Sequence, residues 1–366
     1  MIAVSICLPS GDIAAAWRDL AARASSNVFM DPAALCAAQA TGFAEVRVLL
    51  AWDDAVTPRR LVGLWALRIR RIAPFWPLVL DSLPYEYALL ANPVVDPAFA
   101  DAVIPAFLDA IRHDPDLPKV LHLHSFEQET PCYAAIRHEL VRLGGAERML
   151  AETSRPYATR EDGVKKSGST RKKLRQDFNR LSAQGCVDVV NVRAPDEAMA
   201  AFEIFLALEQ ASWKGARGTA LLCDAGDAAF VRQLMANLSA EGRASVALLR
   251  LDGQAVAAQV VMYGGDTAYT WKTAFDADYA RYSPGALLVD KVTELLFADP
   301  SIHAIDSCSS EDGFMARLWT GHRGMVDMLV HVGPGTSAAF ALEQARLIGY
   351  HEARRLRNQW RARRAT

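Results

Sequence analysis

Apolar positions recur with helical spacing in several stretches and alternate in others, so helices and strands can be placed before any other property is considered. Residues 12–24 read as a helix capped by Ser10 or Asp12, and Asp31-Pro32 reads as an N-cap followed by Pro at the first helical position, opening a helix to Ala40. Residues 46–52 and 60–70 read as strands joined by a turn at 53–58. A helix over 97–113, a buried strand over 119–125 and a helix over 131–143 closed by Gly144-Gly145 follow. In the second half the pattern predicts a helix over 169–184, a strand over 186–192, and helices over 195–213 and 227–241. A meander follows, with strands at 244–251, 254–263 and 267–274 joined by Asp252-Gly253 and Gly264-Gly265-Asp266, which are strong hairpin signals. A helix over 284–297, a strand at 303–306, a short helix near Met315, a strand over 325–332 and a last helix from Thr336 complete the reading. Each half shows helices, antiparallel strands, a helix and a further strand, which predicts an α+β protein with a duplicated domain.

Length supports two domains, since 366 residues exceed one ordinary core. With 51% hydrophobic and 22% charged residues, a disordered or collagen-like chain is excluded. The net charge is −2, from 40 Lys and Arg against 42 Asp and Glu, which argues against a DNA-coating surface. The charge is uneven. Residues 1–150 hold 13 basic and 17 acidic side chains, and the remainder hold 27 and 25. Residues 165–180 carry seven basic side chains against Asp177, and residues 346–366 carry seven against Glu352. We therefore expect domains at 1–150 and 151–335 and a basic helix at 336–366.

The six cysteines are too scattered for a zinc knuckle or a redox pair and read as reduced, mostly buried thiols of a cytoplasmic protein. No apolar run approaches the roughly 20 residues of a membrane helix, and the first residues lack a basic region, so neither a transmembrane segment nor a secretory signal is predicted. His122 and His124 share a strand face without a third ligand at suitable spacing, so no metal site is predicted. Phe75-Trp76 reads as core or interface.

Three stretches can carry chemistry. In Glu209 to Thr219 a helix ends in Trp213, Lys214 and Arg217 among glycines, which suits either a ligand-facing turn or a plain helix C-terminus. In Tyr269 to Ala286, Lys272 interrupts an apolar strand that contains Trp271, a costly placement without a partner or a role. The following Arg281-Tyr282-Ser283-Pro284-Gly285-Ala286 offers a helix N-terminus to an anion. In Ile305 to Arg323 a strand ending at Asp306 leads into a polar loop with Cys308 and Arg317. Cys308 with His303 or His322 is a weak nucleophile–base candidate, and no Gly-x-Ser-x-Gly elbow is present.

The order Ser169-Thr170-Arg171…Leu174-Arg175, Glu209…Trp213-Lys214-Gly215, Tyr269…Trp271-Lys272…Asp276, Tyr279-Ala280-Arg281…Gly285 and Ile305-Asp306 resembles GNAT-type acyltransferases of the CelD/BcsL group, distant relatives of the FemAB peptidyltransferases. The resemblance covers roughly 150–330, and more loosely the first half. It implies two tandem GNAT-like domains, each a mixed, mainly antiparallel sheet flanked by helices, with the active one C-terminal. It further implies acyl transfer from acyl-CoA (acetyl-CoA) to an amine or hydroxyl of a small-molecule or saccharide acceptor, in polysaccharide or envelope biosynthesis. A FemAB-like transfer from charged tRNA and a non-catalytic scaffold are the alternatives. On this basis Glu209, Lys272 and Asp306 are the catalytic candidates. Trp271, Arg281, Tyr282, Gly285 and Ala286 would face the cofactor, and Arg175, Trp213, Lys214, Arg217 and Arg317 the substrate. The family's Gln/Arg-x-x-Gly-x-Gly/Ala turn is altered here, with Tyr282 at its first position and Leu287 at its last.

Overall fold

The computed structural model describes residues 2–365, without the side chains of 354, 355 and 358–365. Two compact units result, and they interleave in sequence where the charge pattern suggests one cut at 150. One unit contains residues 1–9, 44–153 and 324–366, and the other contains 10–43 and 154–323.

In the first unit the strand order is Ile2–Cys7, Val46–Asp53, Arg60–Arg70, Val79–Asp81, Val120–Glu127 and the strand that ends at His331. Val94–Val95 pairs beside Arg60–Arg70. Neighbours run antiparallel except Val79–Asp81 with Val120–Glu127, where Leu80 faces Leu121. Helices Ala100–His113 and Pro131–Leu143 pack on each other. Thr130 caps the second helix by accepting the Tyr133 N–H, and Gly144 ends it with φ 62°, a left-handed angle that suits glycine. The C-terminal helix Ala338–Ala365 belongs to this unit. Of its basic run, the side chains of Arg354, Arg355, Arg361, Arg363 and Arg364 lie outside the described residues. Phe75 is not core. It is fully exposed, in the loop between Arg60–Arg70 and Val79–Asp81.

In the second unit the sheet runs from residues 154–159 through Ala304–Asp306, Thr267–Phe275, Gln254–Gly264 and Ala244–Leu251 to Val187–Val192. Only Thr267–Phe275 with Ala304–Asp306 is parallel, Tyr269 standing opposite Asp306. Pleating divides the buried residues of Ala244–Leu251 between two faces. Ala247, Leu249 and Leu251 join Leu288 and Val292 of helix Pro284–Ala298 in one core, and Val246 and Leu248 point the other way. Helix Pro195–Ala211 also packs on these strands, beside Ala225–Ala240. Helix Pro32–Ala40 packs on Ala225–Ala240, with Phe43 stacked on Phe230 at 4.2 Å.

Element types follow the sequence pattern closely, and the differences are local. Residues 195–213 do not form one helix. It stops at Ala211 because Ser212 turns extended, and the Ser212 hydroxyl accepts the Lys214 N–H to start a separate turn, Trp213–Ala216. Ile2–Cys7 and the long strand Ala146–Thr159 have no counterpart in the sequence reading, because neither alternates cleanly between buried and exposed positions. The thiols also differ from expectation: Cys132 is buried, Cys186 and Cys223 are exposed, and the others are intermediate.

Candidate active site

The strand Thr267–Phe275 organises the candidate residues. Its pairing with Gln254–Gly264 slips by one residue, because Val260 faces Lys272 and Val261 faces Thr270. Trp271 is therefore the extra residue of a β-bulge, a device that re-aims side chains and splays a sheet. Ahead of the bulge the strand is pinned: the Tyr269 hydroxyl donates to the Ser26 carbonyl at 2.8 Å, and Phe29 meets its ring edge-on at 5.6 Å. Burial holds the Tyr269 hydroxyl well above its usual pKa, so it stays protonated.

At the bulge the Lys272 ammonium lies 5.4 Å from the centroid of the buried Trp271 ring. Burial lowers the Lys272 pKa, Glu209 and Asp227 oppose the shift, and Lys214 adds to it. Glu209, Lys214 and Lys272 thus form one electrostatic group, at the end of helix Pro195–Ala211. Glu209 is buried, with one oxygen 2.7 Å from the Lys214 ammonium and the other accepting the Leu221 N–H at 3.0 Å. Beside it Trp213 is exposed, with the Arg217 guanidinium 4.9 Å from its ring centroid. Gly215 is required here, since a Cβ would stand 1.8 Å from the Gln210 carbonyl oxygen.

A second group lies where two helices begin. Ser169–Ser182 and Pro284–Ala298 both start without a side-chain cap, from Gly168 and Ser283 respectively. Ser283 adopts φ 54°, a left-handed angle that costs a non-glycine residue free energy. A cavity of about 300 Å³ meets both starts and is lined by Ser169, Thr170, Lys173, Ser283, Ala286 and Arg317. Lys173 donates to the Ser283 hydroxyl at 3.3 Å and pairs with Asp177. Burial would raise the Asp177 pKa, but the hydrogen bonds from Lys173 and Ser283 outweigh it and lower the value. Within the Pro284 helix, Pro284 has no N–H, and the Ala286 N–H already bonds the Ser283 carbonyl at 2.9 Å. Gly285 supplies the remaining first-turn donor, and its missing side chain also permits close packing, because a Cβ would meet Phe275 at 3.1 Å. Uncapped amides, a lysine and an arginine around one cavity supply the kind of donors that a phosphate or diphosphate accepts.

The other candidates are placed elsewhere. Tyr282 is buried in the core, with Arg281 and Arg180 at 4.8 and 5.5 Å from its ring centroid, so it holds the turn rather than lining the cavity. Arg175 lines a neighbouring cavity of about 390 Å³ with Lys166, Arg171 and Lys291. Arg171 bonds Asp290, tying the two helices together. Asp306 is fully buried, with the Arg323 guanidinium at 2.8 Å, that of Arg155 at 3.6 Å, and the Cys308 N–H donating at 2.7 Å. The Cys308 thiol is pushed well up in pKa by burial and by Asp306, which opposes a thiolate nucleophile.

The structure therefore gathers Glu209, Lys214 and Lys272 in one group, and Ala286 with Arg317 in another. Lys173 and Ser283 were not singled out as individual candidates, although the basic run and the Ser-Pro-Gly turn that contain them were visible. Arg155, the buried partner of Asp306, carries no sequence signal. Among the described residues, no group of three His, Cys, Asp or Glu is arranged to hold a metal ion.

Residues 168–314, which contain the bulged strand and both helix starts, match the family described as acetyltransferase (GNAT) domain. Solved structures with a similar course of the chain include a conserved protein of unknown function from Bacteroides thetaiotaomicron, with TM-score 0.56 and 13% identity over 90% of this chain and 100% of that one. The C-terminal domain of a putative lysylphosphatidylglycerol synthetase from Agrobacterium fabrum has TM-score 0.56 and 13% identity over 91% and 95%. FemX has TM-score 0.55 and 11% identity over 81% and 90%. The fold is a GNAT fold. No curated protein matches the chain in sequence. In GNAT terms, the bulged strand and the helix after it are the elements to which the sequence resemblance assigns the acyl donor.

Proposed function

We propose that the GNAT segment transfers an acyl group from a CoA thioester to an amine or hydroxyl acceptor. The observation that carries this reading is the cavity at the two uncapped helix starts, where Ser283, Ala286, Lys173 and Arg317 form part of the lining and can meet a diphosphate. The altered turn fits this arrangement: Tyr282 and Leu287 are core residues, and charge is supplied by Lys173 and Arg317 instead. On this reading Lys272, whose pKa burial lowers, assists deprotonation of the acceptor or faces developing charge at the carbonyl. An acceptor belonging to polysaccharide or envelope assembly in the cytoplasm accords with the sequence resemblance.

A second reading, transfer from an aminoacyl-tRNA, is favoured by the basic lining of the neighbouring cavity at Lys166, Arg171, Arg175 and Lys291. Calorimetric titration with acetyl-CoA and with charged tRNA separates the two. The first reading expects acetyl-CoA binding that Lys173→Ala and Arg317→Ala each weaken about tenfold or more, the worth of a charge-assisted hydrogen bond. Binding of tRNA alone, falling steeply with salt, overturns it.

A further inference from the structure

The end of helix Pro195–Ala211 encloses more charge than a helix terminus needs. Glu209 is 1% exposed, and both its oxygens are engaged, one by the Lys214 ammonium at 2.7 Å and one by the Leu221 N–H at 3.0 Å. Neither oxygen is left open to an acceptor molecule. A buried ion pair is also a poor source of stability, because desolvation offsets most of its attraction. Stability alone therefore does not account for the pair.

Lys214 is held by its backbone as well as by its ammonium. Its N–H donates to the Ser212 hydroxyl at 3.2 Å, and its carbonyl accepts the Thr219 N–H at 2.8 Å and the Arg217 N–H at 3.2 Å. Gly215 follows directly, where a Cβ has no room beside the Gln210 carbonyl. A lysine side chain ordinarily samples many rotamers, whereas this one is fixed as a positive charge in one place.

That charge acts on Lys272. Helix Pro195–Ala211 packs on strand Thr267–Phe275, where Lys272 stands opposite Val260 at the bulge, its ammonium 5.4 Å from the Trp271 ring centroid. The charged groups that face it are Glu209 on the helix, Lys214 on the turn and Asp227 on helix Ala225–Ala240. Burial lowers the Lys272 pKa, the Glu209 and Asp227 carboxylates oppose that, and Lys214 reinforces it. Without Lys214, two carboxylates and an aromatic ring would together favour the ammonium. The pinned Lys214 charge offsets Glu209 and leaves burial to decide.

We propose that Glu209 and Lys214 are positioning residues: Glu209 fixes the Lys214 ammonium, and that charge keeps Lys272 in its amine form to take a proton from the acceptor. This rests on the acyl-transfer reading above. In that reaction the acceptor nitrogen or oxygen bonds to the thioester carbonyl carbon, its proton passes to the Lys272 Nζ, and the C–S bond breaks with CoA leaving as the thiolate.

Competitive labelling with trace acetic anhydride, from about pH 7 to about pH 11, reads the protonation of each lysine on the full chain alone, with exposed Lys172 as internal standard. In the wild type the Lys272 midpoint lies below that of Lys172. Lys214→Gln keeps a donor for Glu209 but loses the charge, so the midpoint rises and labelling at about pH 8 drops about threefold or more. Glu209→Gln keeps an acceptor for the Leu221 N–H, lowers the midpoint and raises labelling at the same pH. Lys214→Arg leaves the midpoint in place. A turn that merely loosened would raise the midpoint in every variant, so shifts of opposite sign separate positioning from structure. Glu209→Gln leaves no buried carboxylate unpaired, and it decides the matter if Lys214→Gln fails to fold. Equal midpoints in the wild type and Lys214→Gln, or a rise in Glu209→Gln, overturn the proposal. Calorimetry with acetyl-CoA is a separate measurement: failure to bind refutes the transfer reading and leaves these midpoints as they are.

Discussion

Asp306 separates a chemical role from a structural one, and the two give opposite results on substitution. Its side chain is wholly buried, opposed by Arg323 at 2.8 Å and Arg155 at 3.6 Å, and its Oδ1 accepts the Cys308 N–H. Removing one member of a buried ion-pair group leaves uncompensated charge and costs about 3–5 kcal/mol. Asp306→Asn keeps an acceptor for Cys308 and loses the charge, so it is expected to destabilise by about that amount. Asp306→Ala also strands the Cys308 N–H, adding about 1–3 kcal/mol. Equilibrium urea unfolding followed by tryptophan fluorescence reads both variants. With a slope of about 3 kcal/mol per M, Asp306→Asn should move the midpoint down by more than about 1 M, and Asp306→Ala should move it further. A general base of the transfer reaction behaves differently, since its Asn variant folds like the wild type and loses turnover. An Asp306→Asn midpoint within about 0.2 M of the wild type refutes the structural argument and returns Asp306 to the catalytic candidates.

Three further outcomes are expected. Lys272 has a lowered pKa, so folding favours its neutral form: the penalty is fully present below the folded value and disappears as pH rises toward 10.5. Lys272→Met should therefore raise the thermal midpoint at pH 7 while abolishing transfer, and a lowered midpoint would show that its charge is structural. His122, buried with its Nε2 unsatisfied, has its pKa pushed from 6.5 to about 4, chiefly by burial. The unfolded chain then binds the proton first, so stability is full above pH 6.5 and falls by about 3 kcal/mol on the way to pH 4. His122→Gln should flatten that slope in denaturation curves taken across the range. Gly215→Ala drives a Cβ into the Gln210 carbonyl and should displace the Trp213–Ala216 turn, costing more than about 2 kcal/mol by urea unfolding. An unchanged midpoint would show that the turn can shift freely.

Much of the fold is written in local chemistry. Asp31-Pro32 starts a helix because the carboxylate accepts the Ala33 N–H, and Gly144 stops one because it takes a left-handed angle. The hairpin turns at Asp252-Gly253 and Gly264-Gly265 lie where their glycines indicate. Such features depend on neighbours within a few residues, and a sequence displays those. The strand Ala146–Thr159 was not legible, because its burial follows no period of two.

The candidate site divides along the same line. The sequence by itself determined that Lys272 interrupts an apolar strand, that a Ser-Pro-Gly turn follows, and that residues 165–180 are basic. Only the tertiary structure decided how these are used. Helix Ser169–Ser182 is set beside helix Pro284–Ala298, so Lys173 reaches Ser283 across a separation of 110 residues and both starts line one cavity. It also enclosed Asp306 between Arg155 and Arg323, which lie 151 residues before it and 17 after it. The physical reason is that an isolated charge cannot be buried, and its partner is chosen by where the chain returns in space rather than by what stands next to it in the sequence.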